Sequence, residues 1–276
     1  MEFIRAKIEI LTEEEIERLH RATLEVLETV GCRLPHRRVL DRLADAGAIV
    51  DRASGTAKLP AALVERALQA MNGGRRISPE EKFQRGVLRN GRLGIGPGSQ
   101  ANIIDYRSKE RRRGTTEDVL KGIVLCNELP FVRSAMPLVT PSDVPGPVGD
   151  VYGYYLCTLY SRKPYGVYMM TPEACRQIIR MAEIRSGGQK AKISYLLEPN
   201  GALSYDEFSL ENAITCAEAG YGFHLGPMAM AGLDAPVTLA GTLVMQNAYN
   251  LIGNVIAYLW GVYCGWSGSA HTMDLR

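Results

Sequence analysis

Apolar side chains near the start of the chain recur at Ile16, Leu19, Leu27 and Val30, with Thr23 in the same register, which is the spacing of one helix face. Ahead of them stands Leu11-Thr12-Glu13-Glu14-Glu15-Ile16, where Thr12 can cap the helix, Glu15 can reach back, and Leu11 can pack on Ile16. Gly31 supplies the stop. A shorter helix is predicted over 37–46 and closes at Gly47. Ile49-Val50-Asp51 and Ala57-Lys58-Leu59 flank a Ser54-Gly55 turn, and Pro60 opens a third helix through Met71. Together these segments predict a helical lobe carrying one small hairpin.

The period then changes. Val87-Leu88-Arg89 and Arg92-Leu93 flank Asn90-Gly91, a strong hairpin signal. From Leu129 onward short apolar segments alternate with longer amphipathic ones. Strands are predicted over 134–137, 165–170, 193–198, 221–230 and 262–266. Helices are predicted over 148–160, from Thr171-Pro172-Glu173, over 205–219 and from near Pro236. Such alternation predicts parallel β/α units, and one further strand near Ile95 or Ile103 would make six. The expected fold class is therefore α/β: a (β/α)8 TIM-type barrel with an N-terminal helical extension, incomplete here with about five to six barrel strands. The lobe would occupy 1–86 and the partial barrel 87–276, with Ser267 to Arg276 as the loop after its last strand.

Charge changes this picture little. The 276 residues carry 32 Lys and Arg against 30 Asp and Glu, so no global field recruits nucleic acid or an anionic membrane. The basic run from Arg107 to Arg113 resembles a solvated hairpin turn. Gly94-Ile-Gly96-Pro-Gly98-Ser99 lacks a third glycine at the nucleotide-binding offset and reads as a tight bend. Between Ala235 and Met273 there is no Asp, Glu, Lys or Arg, a length that would allow a membrane span. Gln246, Asn247, Asn250 and Asn254 form a polar stripe there, which instead predicts a helix buried between a sheet and a neighbouring subunit. No membrane and a homo-oligomer are the expectations. Six scattered cysteines without a Cys-x-x-Cys pair read as reduced thiols of a cytoplasmic protein. Cys32 and His36 alone approach metal-ligand spacing, so no protein-bound metal is expected. His20 reads as a helix-face residue.

Several stretches resemble the trimethylamine:corrinoid methyltransferase family, which includes glycine betaine-type members. They are LTEEEIERLHRATLEVLETVGCRL, LADAGAIVD, LPAALVERAL, IIDYRSKERRRGTTEDV, EPNGALSYD, GPMAMAGLDAPVTLAGTLVMQNA and GWSGSAHTMDLR, in the family's order and with similar spacing. One departure is Tyr249, where the family commonly has an acidic residue. The resemblance implies a (β/α)8 barrel whose last units lie beyond Arg276. It also implies transfer of a methyl group from a methylated amine or betaine to a Co(I) corrinoid (cobalamin) carried by a partner corrinoid protein. A cationic substrate needs aromatic faces and a carboxylate at C-terminal strand ends. On that basis Tyr168, Glu198, Met230, Tyr263, His271 and Asp274 are expected to bind substrate, with Gly232 and Gly268 beside the corrinoid. Met228, Met230 and Gly232 match a family motif, and Asp274 matches its Asp-Leu/Met-Arg signature. No catalytic residue is singled out. Two other readings are a split barrel half that acts by assembly, and a pterin-dependent methyltransferase barrel.

Overall fold

A computed structural model describes residues 10–71, 95–266 and 268–272. The Asn90-Gly91 hairpin, Gly94 and Asp274 lie outside the described residues. The chain is a mixed α/β protein whose contacts divide it into two compact units: Met1–Gly74 with Leu197–Leu210 and His224–Arg276, and Arg75–Leu196 with Glu211–Phe223.

The first unit opens with α1 (Glu13–Thr29). Its predicted capping box is present: the Glu15 N–H donates to Thr12 Oγ1 at 3.2 Å, and the Thr12 N–H donates to Glu15 Oε2 at 2.8 Å. Two otherwise orphaned donors are thereby satisfied. Thr12→Ala should lower stability by about 1 kcal/mol. Thermal unfolding followed by circular dichroism checks this, and an unchanged midpoint would contradict it. After α1 come β1 (Cys32–Arg33), α2 (Arg37–Asp45), β2 (Ile49–Asp51), β3 (Thr56–Lys58) and α3 (Ala61–Met71), close to the predicted bounds. The hairpin gains a strand that the pattern does not announce, since β1 pairs antiparallel with β3 to give the order β1-β3-β2. His20 on α1 meets Glu65 on α3 at 2.8 Å, so it is a helix-face residue tying two helices.

In the second unit β4 (Asn102–Ile104) and β5 (Arg111–Arg113) pair antiparallel, so the basic run is a hairpin. Asp105 Oδ1 accepts the N–H groups of Arg107 and Ser108 and closes the turn. Helix α4 (Thr116–Glu128) follows, then a short 3-10 turn (Gly146–Val148), α5 (Gly149–Tyr160) and α6 (Pro172–Arg185). α4 was not expected, although Thr115 and Asp118 hold a capping-box spacing ahead of it. The strands expected over 134–137 and 165–170 reduce to isolated parallel bridges: Ala135 with Tyr165, Val132 with Ile95, and Val139 with Gln100. Val119, Ile123, Val139, Leu156 and Cys157 form this unit's core.

Beyond α6 come β6 (Tyr195–Leu197), α7 (Glu207–Glu218), β7 (Phe223–Leu225), β8 (Met228–Ala231), α8 (Leu239–Trp260), β9 (Cys264–Trp266) and β10 (Ser269–Thr272). β6, β7 and β9 form one sheet in that order, and β8 pairs with β10. Three expectations need correction here. The segment 221–230 is not one strand, because Gly226 and Pro227 separate β7 from β8. The tail after Trp266 is not simply a loop, because Ser269–Thr272 pairs parallel with β8, setting His271 beside Met230. Part of the polar stripe of α8 is met within the chain rather than by a neighbouring subunit: the Asn247 amide donates to Thr23 of α1 and the Gln246 amide to the Pro227 carbonyl, while Asn250 Oδ1 and Asn254 Nδ2 are buried without a hydrogen-bond partner among the described residues. Helices α1 and α3 of the same unit pack on α8. Among the described residues no helix is long and apolar enough to cross a membrane, and no closed barrel occurs among the described strands.

Candidate functional site

The sheet of β6, β7 and β9 has one covered face and one open face. Leu197, Phe223, Leu225 and Cys264 are buried, and Gly253 of α8 comes so near that a Cβ on it would lie 2.4 Å from Leu225 Cδ2. Side chains alternate along a strand, so Glu198 and His224 belong to the opposite, solvent-facing side. The Gly226 N–H donates to the Leu197 carbonyl, which fixes these two segments beside each other. Glu198 therefore follows the end of β6 on the face that carries His224 one step back on β7.

Neither side chain has a hydrogen-bond or ion-pair partner among the described residues. Both are exposed, and the strands around them shield them from water only in part. That shielding raises the Glu198 carboxyl above the usual carboxylate range and lowers the His224 imidazole below its ordinary value, with desolvation the sole cause in each case. A desolvated carboxylate without a counter-charge is unfavourable in isolation and is relieved by a bound cation.

Gly265 on β9 completes the neighbourhood. A Cβ there would fall 2.5 Å from His224 Nδ1 and 3.4 Å from Tyr263 Cε1, so the missing methyl makes the notch in which the imidazole lies. Tyr263 is 73 % exposed, which leaves a ring available beside that notch. On the other sheet Met228 is exposed and Met230 half-buried, while Ala229 between them is buried against Met245 and Tyr249. His271 stands next to Met230 and meets the Ser269 hydroxyl at 2.7 Å.

The two glycines expected beside the corrinoid have conformational reasons to be glycine. Gly232 has φ +85 in the turn after β8, which the Asp234 carboxylate braces by accepting the Met230 N–H at 2.7 Å. At Gly268, φ +151, a Cβ would fall 1.7 Å from Gln246 Nε2, so the space above it is already filled by the α8 amide.

Tyr168 lies in the other unit, on the wall of a cavity of about 320 Å³ with Gln100, Met136, Asp150 and Thr171. That volume suits a small ligand. Its carboxylate is already engaged, however, since Asp150 Oδ2 accepts the Met170 N–H and Oδ1 accepts the Val151 N–H, each at 2.8 Å. The expected substrate residues thus divide. Glu198 and Tyr263 share the neighbourhood of His224, Met230 and His271 share a second strand pair, and Tyr168 belongs with Asp150. His224, Gly265 and Asp150 were not anticipated. A signal for His224 existed, because a lone polar residue between Phe223 and Leu225 in a strand must face away from the core.

Among the described residues no group of three or more His, Cys, Asp or Glu side chains could hold a metal ion. All six cysteines are free and buried, and burial pushes the Cys32, Cys157 and Cys264 thiols up to about 12. These thiols are packing groups rather than nucleophiles.

The chain is thus an α/β protein with helices between its strands and an unpartnered carboxylate at a strand end. Residues 2–264 match the model of the trimethylamine methyltransferase (MTTB) family, and the chain belongs to that family. It is 27% identical over 277 residues to the trimethylamine methyltransferase MttB of Desulfitobacterium hafniense, covering 96% of this chain and 55% of that protein. It is 27% identical over 264 residues to a glycine betaine methyltransferase of the same species, covering 91% and 53%. To the trimethylamine methyltransferase MttB of Methanosarcina thermophila it is 25% identical over 283 residues, covering 98% and 59%. The chain spans about half the length of the curated relatives it matches.

Proposed function

We propose that the chain serves a corrinoid-dependent methyltransferase that moves a methyl group from a methylated amine or betaine to a corrinoid held by a partner protein. The family match supports the reaction class, and the observation that carries the site is the Glu198 carboxylate at the end of β6, on the open sheet face and without a partner among the described residues. Glu198 holds the ammonium of the substrate, and the Tyr263 ring offers a face to its methyl groups. Met230 and His271 line the approach, and Asp274, which lies outside the described residues, and Tyr168 are retained as candidate substrate residues.

The corrinoid is a reactant brought by the partner, and its Co(I) centre supplies the nucleophile. The exposure of Met228, Tyr263 and His271 suits the approach of a large flat ring. The chain's own task is to hold a small cation in one orientation with the transferable methyl outward, so its contribution is positioning. No proton needs to move in such a displacement. A (β/α)8 barrel over 87–276 after a helical lobe over 1–86 belongs to the same proposal, and the parallel pairing of β8 with β10 supports it. The free thiols support a cytoplasmic setting, and a homo-oligomer is part of the same proposal.

The test is incubation of the protein with trimethylamine or glycine betaine, a corrinoid protein and a reductant, followed by mass spectrometry. A product one methyl lighter is expected. Unchanged substrate across a broad panel of methylated amines and betaines would overturn the proposal.

A further inference from the structure

On the open face Glu198 and His224 come from adjoining strands and are diagonal neighbours, since the Tyr195 N–H donates to the Gly222 carbonyl and the Gly226 N–H to the Leu197 carbonyl, a placement about 7–8 Å apart that a small zwitterion can bridge; both lack partners among the described residues. A carboxylate alone is complementary to a cation. A carboxylate with an imidazole beside it is complementary to a molecule bearing both charges, since the ring N–H can donate to a second, anionic group. We propose that His224 is a specificity-determining residue of this site, donating a hydrogen bond to a carboxylate on the substrate, so that the site prefers a zwitterionic methylated ammonium to a methylated amine without an acid group. This rests on the placement of the ammonium at Glu198 in the proposed function.

Three observations bear on it. The notch at Gly265 holds the imidazole in one place, with its Nδ1 2.5 Å from where a Cβ would stand. Partial desolvation lowers the ring below its ordinary value and so favours the neutral form, which donates without repelling the ammonium next to it. Among the described residues the titratable groups on the open face of the adjoining strands are Glu198 and Tyr263, neither of them a cation that would compete for the incoming carboxylate.

The test uses the intact chain and two ligands that share a head group, glycine betaine and tetramethylammonium. With four histidines in the chain, proton NMR can follow the His224 ring, assigned by its loss in His224→Ala. Calorimetry should give at least about tenfold tighter binding of glycine betaine, the range of one charge-assisted hydrogen bond. The His224 pKa should rise by about one unit with glycine betaine and not with tetramethylammonium. His224→Ala should bring the affinity ratio near one, while His224→Gln, which keeps an N–H donor, should restore part of it. Equal affinity for the two ligands, or a His224 resonance that ignores glycine betaine, overturns this inference and leaves the Glu198 site standing. Failure of both ligands to bind overturns the inference together with the placement at Glu198.

Discussion

Glu198→Gln should weaken binding of a tetramethylammonium ion by at least tenfold. The amide keeps the size and shape of the side chain but removes the unpaired negative charge that Glu198 puts on the open face of the β6, β7 and β9 sheet. A charge-assisted contact of this kind contributes roughly 1.5–3 kcal/mol, which is about one to two decades in the dissociation constant. The native carboxyl is raised by desolvation with nothing to offset it, so the same substitution should leave folding stability unchanged or slightly higher. Calorimetric titration and chemical denaturation of the two proteins give both quantities. Equal affinity would remove Glu198 from the site. A large loss of stability would mean that the carboxylate is a structural group.

The second large effect is on stability and falls at Asp118, at the start of α4. This carboxylate is 8% exposed. It accepts Arg112 Nη1 at 2.6 Å and Nη2 at 2.9 Å, and also the Thr115 N–H and hydroxyl at 2.9 Å each. Arg112 and the helix cap together hold its carboxyl well below the usual carboxylate range. Asp118→Ala would leave two cap donors and a guanidinium without their acceptor. Because Arg112 is itself 46% exposed it can recover water, so the expected cost is about 2 kcal/mol rather than the 3–5 of a fully buried pair. The sign with pH follows from a depressed folded-state pKa. The contribution is complete above the unfolded value of about 4 and disappears as pH falls through the lower folded value. Urea denaturation of both proteins should show a constant gap from pH 5 to 8 that closes on acidification below about pH 4. A gap that persists undiminished at pH 2 would contradict the account.

How much of this could be read beforehand depends on how local the cause is. The first three helices and the small hairpin carry their own caps, stops and turn residues, and they lie where the periodicity puts them. Strand β10 was missed because Ser269-Ala270-His271-Thr272 has no apolar alternation of its own. It is a strand only because β8, some forty residues earlier, offers it a ladder. Gly226-Pro227 was a legible break between β7 and β8, overridden by the apolar run on either side of it. The polar stripe of α8 is buried at Asn254 and half-buried at Gln246, Asn247 and Asn250, and its partners on α1 and β8 are set by long-range packing. At the site Glu198 was accessible to sequence reasoning as a carboxylate closing a strand. His224 and Gly265 were not singled out, because their relation is a contact between strands some forty residues apart.

A crystal structure of the chain grown with tetramethylammonium tests the central claim most directly. The account predicts the ion against the Glu198 carboxylate, with the Tyr263 ring and the His224 imidazole beside it on the open sheet face. An ion seated instead in the cavity of Asp150 and Tyr168, with Glu198 turned to empty solvent, would contradict it.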